Sequence, residues 1–278
     1  MHGQFNPLGT VSGRISASNP NLQNIPRSAE FRKLYIPLDD KIFVICDYSQ
    51  IELRVCAELS GETRMIEAMK QGEDLHRMTA AKIFGVSEEE VTKEQRQQAK
   101  AVNFGLIYGM SPNRLVKDGI AKDQKQGAAI IRSFFELYPN IKRMHKYLEQ
   151  QMKQSIQKDP TQLQIRTQET NRRRWLSRKD VSFKDGALRP NTLFNQPVQG
   201  LAADGMKAAL VVLQKRLGEL DAELVAVIHD EVIVQTPPHF ANEVRGMVEQ
   251  AMIDGMQTFI SEVPIIAQAV VGRSWAEK

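Results

Sequence analysis

The chain has 278 residues, 42% hydrophobic and 25% charged, the composition of an ordinary soluble globular protein with core enough for one large domain or two modest ones. No apolar run approaches the length of a bilayer span, and MHGQFNPLG is not a signal peptide, so a membrane is not an expected partner. The net charge of +4 is mild but uneven: residues 164–189 hold eight Lys/Arg against three Asp/Glu, net +5, which leaves −1 for the rest. Such local basicity suits a surface that tracks a phosphate backbone and suits a solvated loop equally well. Cys46 and Cys56 form no metal-spacing motif and read as buried, reduced thiols of a cytosolic protein.

Residues 1–30 carry many turn formers, among them Pro7, Gly9, Gly13, Pro20 and Pro26, and read as irregular. Within them SGRISASNPNLQNIPR is a surface strip with Arg14, Asn21, Gln23 and Asn24. Those side chains suit hydrogen bonds to sugar and base edges in a minor groove, although such amides often serve only as turn residues.

The apolar run Ile42–Cys46 reads as a strand buried on both faces, with Asp47 at its end. Gln50–Ser60 reads as a helix: Ile51, Val55 and Leu59 fall at four-residue spacing, Gly61 stops it, and Glu52 is a favourable first-turn charge. Helices are predicted over Thr63–Gln71 and Asp74–Phe84, punctuated by Gly72 and Gly85, with His76 early in the second and, taken alone, a surface residue. Ser87–Glu90 and Thr92–Gln95 both match a capping box.

The second box opens TKEQRQQAKAVNFGLIYG, in which Arg96, Lys100, Phe104 and Tyr108 recur every four residues. One stripe therefore carries two cations and then two aromatics. That order matches a nucleotide, a charged tail beside a flat base. It also fits an amphipathic helix with aromatics in the core and cations in solvent. Gly105 costs about 1 kcal/mol against Ala inside a helix, which points to a close approach at that position by a flat ligand or another helix.

Residues 123–158 read as helical with a break at Tyr138-Pro139. Asn171-Arg172-Arg173-Arg174-Trp175 suits a nucleic-acid backbone with one stacking group. A helix is predicted from near Pro197, its Gly200, Ala202, Ala203 and Gly205 allowing close packing and Gln199 near its start. Leu224–Ile228 reads as a second buried strand delivering Asp230 in a tight turn, His229-Asp230-Glu231. A helix over about Phe240–Ile260 and a strand Ile265–Val271 follow. Two strand-end carboxylates brought together repel unless metal sits between them. A pair of Mg²⁺ ions roughly 4 Å apart, clamping the attacking and leaving oxygens of a phosphoryl transfer, needs this arrangement.

DYSQIELR, then R-x-x-x-K-x-x-x-N-F-G-x-x-Y-G, then V-Q-G, then H-D-E, in that order, closely resemble the family A DNA polymerases, of the DNA polymerase I type. SGRISASNPNLQNIP resembles the segment that precedes the first motif, and the likeness runs from about Thr10 to the C-terminus. The resemblance implies an α+β fold, with residues 1–61 and 190–278 forming a palm around an antiparallel sheet and 62–189 forming mostly helical fingers. It implies that Asp47 and Asp230 bind two Mg²⁺ ions (Mn²⁺ can substitute), with the Tyr48 carbonyl as a further ligand. Arg96, Lys100 and His76 would hold the triphosphate, and Lys100 would also protonate the leaving pyrophosphate. Phe104 would pack on the incoming sugar and base, Tyr108 would close the far side of the templating pair, and Glu52 would exclude a 2′-hydroxyl. Arg14, Asn21, Gln199 and His229 would line the primer terminus and its minor groove; Arg172, Arg173 and Arg174 would follow the DNA backbone; Glu231 would be an auxiliary carboxylate.

The implied reaction is template-directed addition of deoxynucleotides to a primer 3′-hydroxyl, with primer-template DNA and dNTPs as partners, in the cytoplasm of a bacterial or phage-infected cell. The thumb and 3′–5′ exonuclease regions of the family are expected to be absent; if the chain is complete as encoded, a separate polypeptide would supply the thumb and/or the exonuclease. Two departures stand out: Asn171 where the family usually has Gly, and Leu188-Arg189-Pro190-Asn191 where it often has a charged helix. Two alternatives remain. A single-subunit RNA polymerase shares the aspartates and the Arg/Lys helix, but Glu52, Asn103-Phe104-Gly105 and Glu231 argue against it. A non-catalytic DNA-binding replication factor is opposed by the intact Asp47, Asp230, Arg96 and Lys100.

Overall fold

A computed structural model describes residues 3–159, 163–177, 180, 189–218 and 220–278. The chain divides into two units: unit 1 is Met1–Ile51, Gln199–Ser261 and Ile265–Lys278, and unit 2 is Glu52–Val198 and Glu262–Pro264. The seams fall at 51/52 and 198/199, where the sequence reading put them at 61/62 and 189/190. The fold is α+β with antiparallel sheets.

In unit 1 the N-terminal strip is less irregular than expected, because β1 (Gln4–Asn6) pairs with β2 (Ser16–Ser18). A single helical turn, α1 (Ala29–Arg32), precedes β3 (Ile42–Tyr48). β3 lies inside a four-stranded antiparallel sheet, between β7 (Glu231–Thr236) and β8 (Ala267–Gly272), with β6 (Glu223–Ile228) outside β7. Its run Phe43-Val44-Ile45-Cys46 is buried, as a strand covered on both faces must be.

Alternation along β3 sorts its side chains. Phe43 and Ile45 join Ile228, Ile233 and Trp275 on one face of the sheet. Asp47 is next in that set. Tyr48 points the other way, and its hydroxyl donates to the Met252 carbonyl of α10 (Ala241–Gln257) at 2.6 Å. Helix α9 (Pro190–Leu217) crosses α10 so closely that a Cβ on Gly255 would overlap the Ala209 backbone.

Helix α9 corrects the sequence reading, since it starts at Pro190 and runs through Pro197. Pro190 occupies the first turn, where its missing N–H costs nothing. Pro197 forfeits one helical hydrogen bond, but Leu193, Phe194, Val198 and Leu201 around it are buried and hold the helix together.

Unit 2 is mostly helical: α2 (Ile51–Ser60), which opens at the seam, α3 (Thr63–Gln71), α4 (Leu75–Phe84), α5 (Lys93–Ile107), α6 (Pro112–Lys117), α7 (Gln124–Leu137) and α8 (Pro139–Lys158). Local signals set their ends. Gly72 and Gly85 stop α3 and α4 at positive φ, and Thr92 with Gln95 forms a complete capping box on α5. The other expected box corrects differently: the Ser87 amide donates to Glu90 Oε2 at 3.0 Å, but the segment is a turn and starts no helix. The hairpin β4 (Gln164–Arg166) and β5 (Arg173–Trp175) turns through Asn171 at φ +56°, the left-handed conformation for which the family's glycine is suited.

His145 of α8 knits unit 2 together. Its ring stacks on Phe194 of α9 at 3.8 Å between centroids, and its Nε2–H donates to the Ile107 carbonyl of α5 at 3.0 Å. Burial lowers its pKa from 6.5 to about 4, against the raising effect of that hydrogen bond. The unfolded chain therefore binds a proton that the folded chain refuses between these values. The stabilisation is complete above pH 6.5 and is lost as pH falls toward 4, an effect of up to about 3 kcal/mol. Asp47, whose pKa is raised, acts with the opposite sign over part of that window. The expected result is that His145→Gln flattens the acid-side loss of stability relative to wild type, measured by urea unfolding at pH 7, 6 and 5. Parallel curves for the two proteins would refute it.

Candidate active site

Unit 1 brings the two predicted carboxylates together. In the β3–β7 register Asp47 stands opposite Glu231, and the Tyr48 amide donates to the Asp230 carbonyl at 3.3 Å. Asp230 sits in the two-residue turn joining β6 to β7. The turn's first residue, His229, has φ +60°, and Gln50, just past β3, has φ +53°. Both non-glycine residues hold conformations that cost on the order of 1 kcal/mol each, a pattern common where a chain spends stability on a site.

The electrostatics follow from this crowding. The Asp47 carboxyl is pushed up to about 6, first by burial and then by the charge of Asp230, against the lowering effect of Lys278. One of its oxygens, Oδ1, is buried and has no hydrogen-bond partner among the described residues. Arg14, Tyr48, Ala203, His229 and Asp230 line a small pocket. His229 has a lowered pKa, from burial first and then from Arg14 and Arg27.

Three residues that sequence reasoning missed engage Glu231, and one of them, Lys278, also engages Asp47. The Lys278 ammonium bridges Asp47 and Glu231, at 2.7 Å from Glu231 Oε2. Trp275 Nε1–H donates to Glu231 Oε1 at 2.6 Å, and Arg32 lies 3.6 Å from Glu231 Oε2 with its guanidinium 4.2 Å from the Trp275 ring centre. The Glu231 carboxylate is thus fully engaged by protein groups. No local pattern announced these partners, because a cation or indole is ordinary in any sequence window.

The donor chemistry fits a hard divalent cation. Among the described residues no group of three or more His, Cys, Asp or Glu side chains is arranged to hold a metal. Mg²⁺ needs no such cage, since it is commonly held by one or two carboxylates with water and substrate phosphate completing its shell. Asp47 and Asp230 would supply the two carboxylates, and the unpartnered Asp47 oxygen is the sort of acceptor a cation would satisfy.

In unit 2 the predicted stripe lies on one side of α5. Ala99, Val102, Asn103, Leu106 and Ile107 form its buried face, whereas Lys100 is exposed and Arg96, Phe104 and Tyr108 are half-buried. Arg96 is held by Asp74, Nε to Oδ2 at 2.5 Å, and the same carboxylate caps α4 by accepting from the amides of His76 and Arg77. His76 is buried, contrary to the surface position expected of it, and its ring centre lies 6.0 Å from that of Phe104. The Tyr108 hydroxyl donates to the Glu52 carboxylate. The close approach at Gly105 is made by the Met110 side chain, which folds over it.

The remaining predicted positions differ in their surroundings. Asn21 Oδ1 accepts from the Gln23 amide at 3.1 Å and so serves a turn, while Gln199 lies half-buried in α9. Arg174 is paired with Asp180, Nη2 to Oδ1 at 2.5 Å, in a half-buried position. Arg173 is exposed, Arg172 half-exposed, and Trp175 is 60% exposed. Leu188, the first residue of the Leu188-Arg189-Pro190-Asn191 departure, lies outside the described residues, as do 178, 179 and 181–187.

The family model described as DNA polymerase family A matches residues 1–277. The chain belongs to DNA polymerase family A. The thermostable DNA polymerase I of Thermus filiformis is 36% identical over 284 residues, covering all of this chain and 32% of that relative. The DNA polymerase I of Aquifex aeolicus is 33% identical over 284 residues, covering all of this chain and 46% of the relative. Among solved structures, the POL domain of Pol1 from M. smegmatis, in complex with DNA primer-template and dNTP, matches with a TM-score of 0.86 at 29% identity, over 99% of this chain and 48% of that one. This family A chain therefore spans about a third to a half of the length of these relatives. Among its described residues no helix is long and apolar enough to cross a membrane.

Proposed function

We propose that this chain is the palm and fingers part of a DNA-directed DNA polymerase that adds deoxynucleotides to a primer 3′-hydroxyl. The observation that carries the reading is the crowded pair Asp47 and Asp230, with Asp47's pKa raised by burial and by its neighbour and one of its oxygens buried without a partner. On this reading unit 1 is the palm and unit 2 the fingers. The M. smegmatis structure, with its primer-template and dNTP, supports the choice of ligands.

Asp47 and Asp230, with the Tyr48 carbonyl, would hold the Mg²⁺ ions; Mn²⁺ fits the same oxygen donors. Bound there, the ions would neutralise charge on the attacking and leaving oxygens. Arg96 and Lys100 bind the triphosphate as charged donors, and the Lys100 Nζ proton passes to the leaving pyrophosphate. Phe104 and Tyr108 orient sugar and base, so that the rate gain comes mainly from positioning and charge. Arg14 and His229, on the pocket beside Asp230, take the primer end. Arg172 and Arg173 follow the DNA backbone, Arg173 as an exposed charge.

The deciding experiment is primer extension with Mg²⁺ and either dNTPs or NTPs. Extension with dNTPs supports the reading; none with either, by folded protein, overturns it, and a preference for NTPs favours an RNA polymerase. Sugar choice has its own test. Glu52 is the residue assigned to exclude a 2′-hydroxyl, and Tyr108 holds its carboxylate. Glu52→Ala is expected to raise ribonucleotide use by about tenfold or more, as the loss of a steric and polar block would. Unchanged selection between dNTP and NTP would remove Glu52 from that role.

A further inference from the structure

Within unit 2, His76 is 2% exposed and is gripped from α5 by Asn103, which is itself fully buried. Asn103 Nδ2 donates to the Leu75 carbonyl at 3.4 Å and lies 2.9 Å from His76 Nδ1. A carbonyl can only accept, so the Leu75 contact turns the amide nitrogen toward the ring, with Asn103 Oδ1 buried and without a partner among the described residues. Turning the amide over would set its oxygen against the Leu75 oxygen. With an amide nitrogen as its neighbour, Nδ1 must be the acceptor. A neutral imidazole then carries its one proton on Nε2.

The neutral form is favoured by the surroundings: the ring's pKa is lowered to about 4, first by burial and then by the charges of Arg96 and Lys100, against the raising effect of Asp74. Nδ1 is taken, and Nε2 has no protein acceptor among the described residues. An N–H donor near two cations is suited to an anionic oxygen as its partner. The other tautomer would offer that oxygen a lone pair and repel it.

We infer that Asn103 is a positioning residue that fixes His76 as the Nε2–H tautomer, a neutral donor kept for a phosphate oxygen of the incoming nucleotide. The last clause rests on the polymerase reading; the tautomer lock does not. In Asn103→Asp the carboxylate would accept from Nδ1–H instead, reversing the tautomer and taking the proton off Nε2.

The test is a long-range proton–nitrogen NMR spectrum of nitrogen-15-labelled protein at pH 7, with His76→Gln used to assign the His76 signals. Wild type is expected to show protonated Nε2 and a lone pair on Nδ1, and Asn103→Asp to show a protonated Nδ1. A protonated Nδ1 in wild type, which needs no variant to observe, would overturn the inference, as would an unchanged ring in folded Asn103→Asp. In single-nucleotide extension, Asn103→Asp is expected to raise KM for dNTP by about tenfold with a smaller change in kcat, the size expected for loss of one charge-assisted hydrogen bond. An unchanged KM alongside a reversed tautomer would overturn the donor role. Absence of extension by wild type would instead count against the polymerase reading and leave the tautomer result standing.

Discussion

Asp47→Asn is expected to reduce primer extension on the order of 10³-fold, the scale for losing one principal electrostatic group at a phosphoryl-transfer site. The same change should not weaken the metal-free fold. Asp47 is pushed up to about 6 by burial and by Asp230, so its ionised form is held in place at a cost at neutral pH. The sign is that of a carboxyl whose folded pKa exceeds its unfolded one: folding favours the protonated form, and stability declines as pH rises from about 4 through 6. Removing the charge should therefore raise the thermal midpoint in chelator by a few degrees, after discounting for solvent and for the lost pairing with Lys278. Calorimetry in chelator and primer extension in Mg²⁺ make the pair of measurements. A variant that extends primers at the wild-type rate would remove Asp47 from the chemistry. A lower midpoint would show that the crowding of the two aspartates does not strain the fold.

Glu231→Ala is expected to have the opposite character, with a large loss of stability. Its carboxylate is 4% exposed and accepts from Trp275 Nε1–H and Lys278, with Arg32 close by. Removing it would strand a buried indole N–H and leave Arg32 unpaired, with its Nε already lacking a partner. Breaking a buried charge cluster from one side costs about 3–5 kcal/mol, or on the order of 10 °C in a protein of this size. Glu231→Gln should fall between, because its amide oxygen can still accept from Trp275. Thermal and urea unfolding in the absence of metal would settle the matter. A midpoint within 2 °C of wild type for the alanine variant would show that Trp275, Lys278 and Arg32 do not depend on Glu231.

The two experiments separate neighbours in one register pair. Asp47 and Glu231 face each other across β3 and β7, yet one has a buried oxygen without a partner and the other is surrounded by donors. A strand position cannot convey this difference, since both residues read simply as acids at strand ends.

Much of the rest was legible because it is local. The β-branched run before Asp47, the capping box at Thr92, the glycine stops at Gly72 and Gly85, and the four-residue stripe from Arg96 to Tyr108 are all written within a turn or two of chain. Asn171 could be read in the same way, since few residues besides glycine adopt φ +56° at small cost. The start of α9 was misread because Pro197 is a local stop signal, and burial of residues on either side of it outweighed that signal.

By itself the sequence determined the central strand β3, the helices α2 to α5, the order of the motifs and the two acids on which the chemistry is proposed to rest. Only the tertiary structure decided which donors claim Glu231, how Asp74 holds Arg96, and that His76 is buried against Asn103 and not at the surface. Propensity, capping and periodicity act over about four residues, whereas Glu231 and Lys278 are 47 positions apart and His76 and Asn103 are 27. Contacts at that separation are chosen by packing and by the cost of leaving a buried polar group unmet, quantities that exist only once the chain has closed on itself.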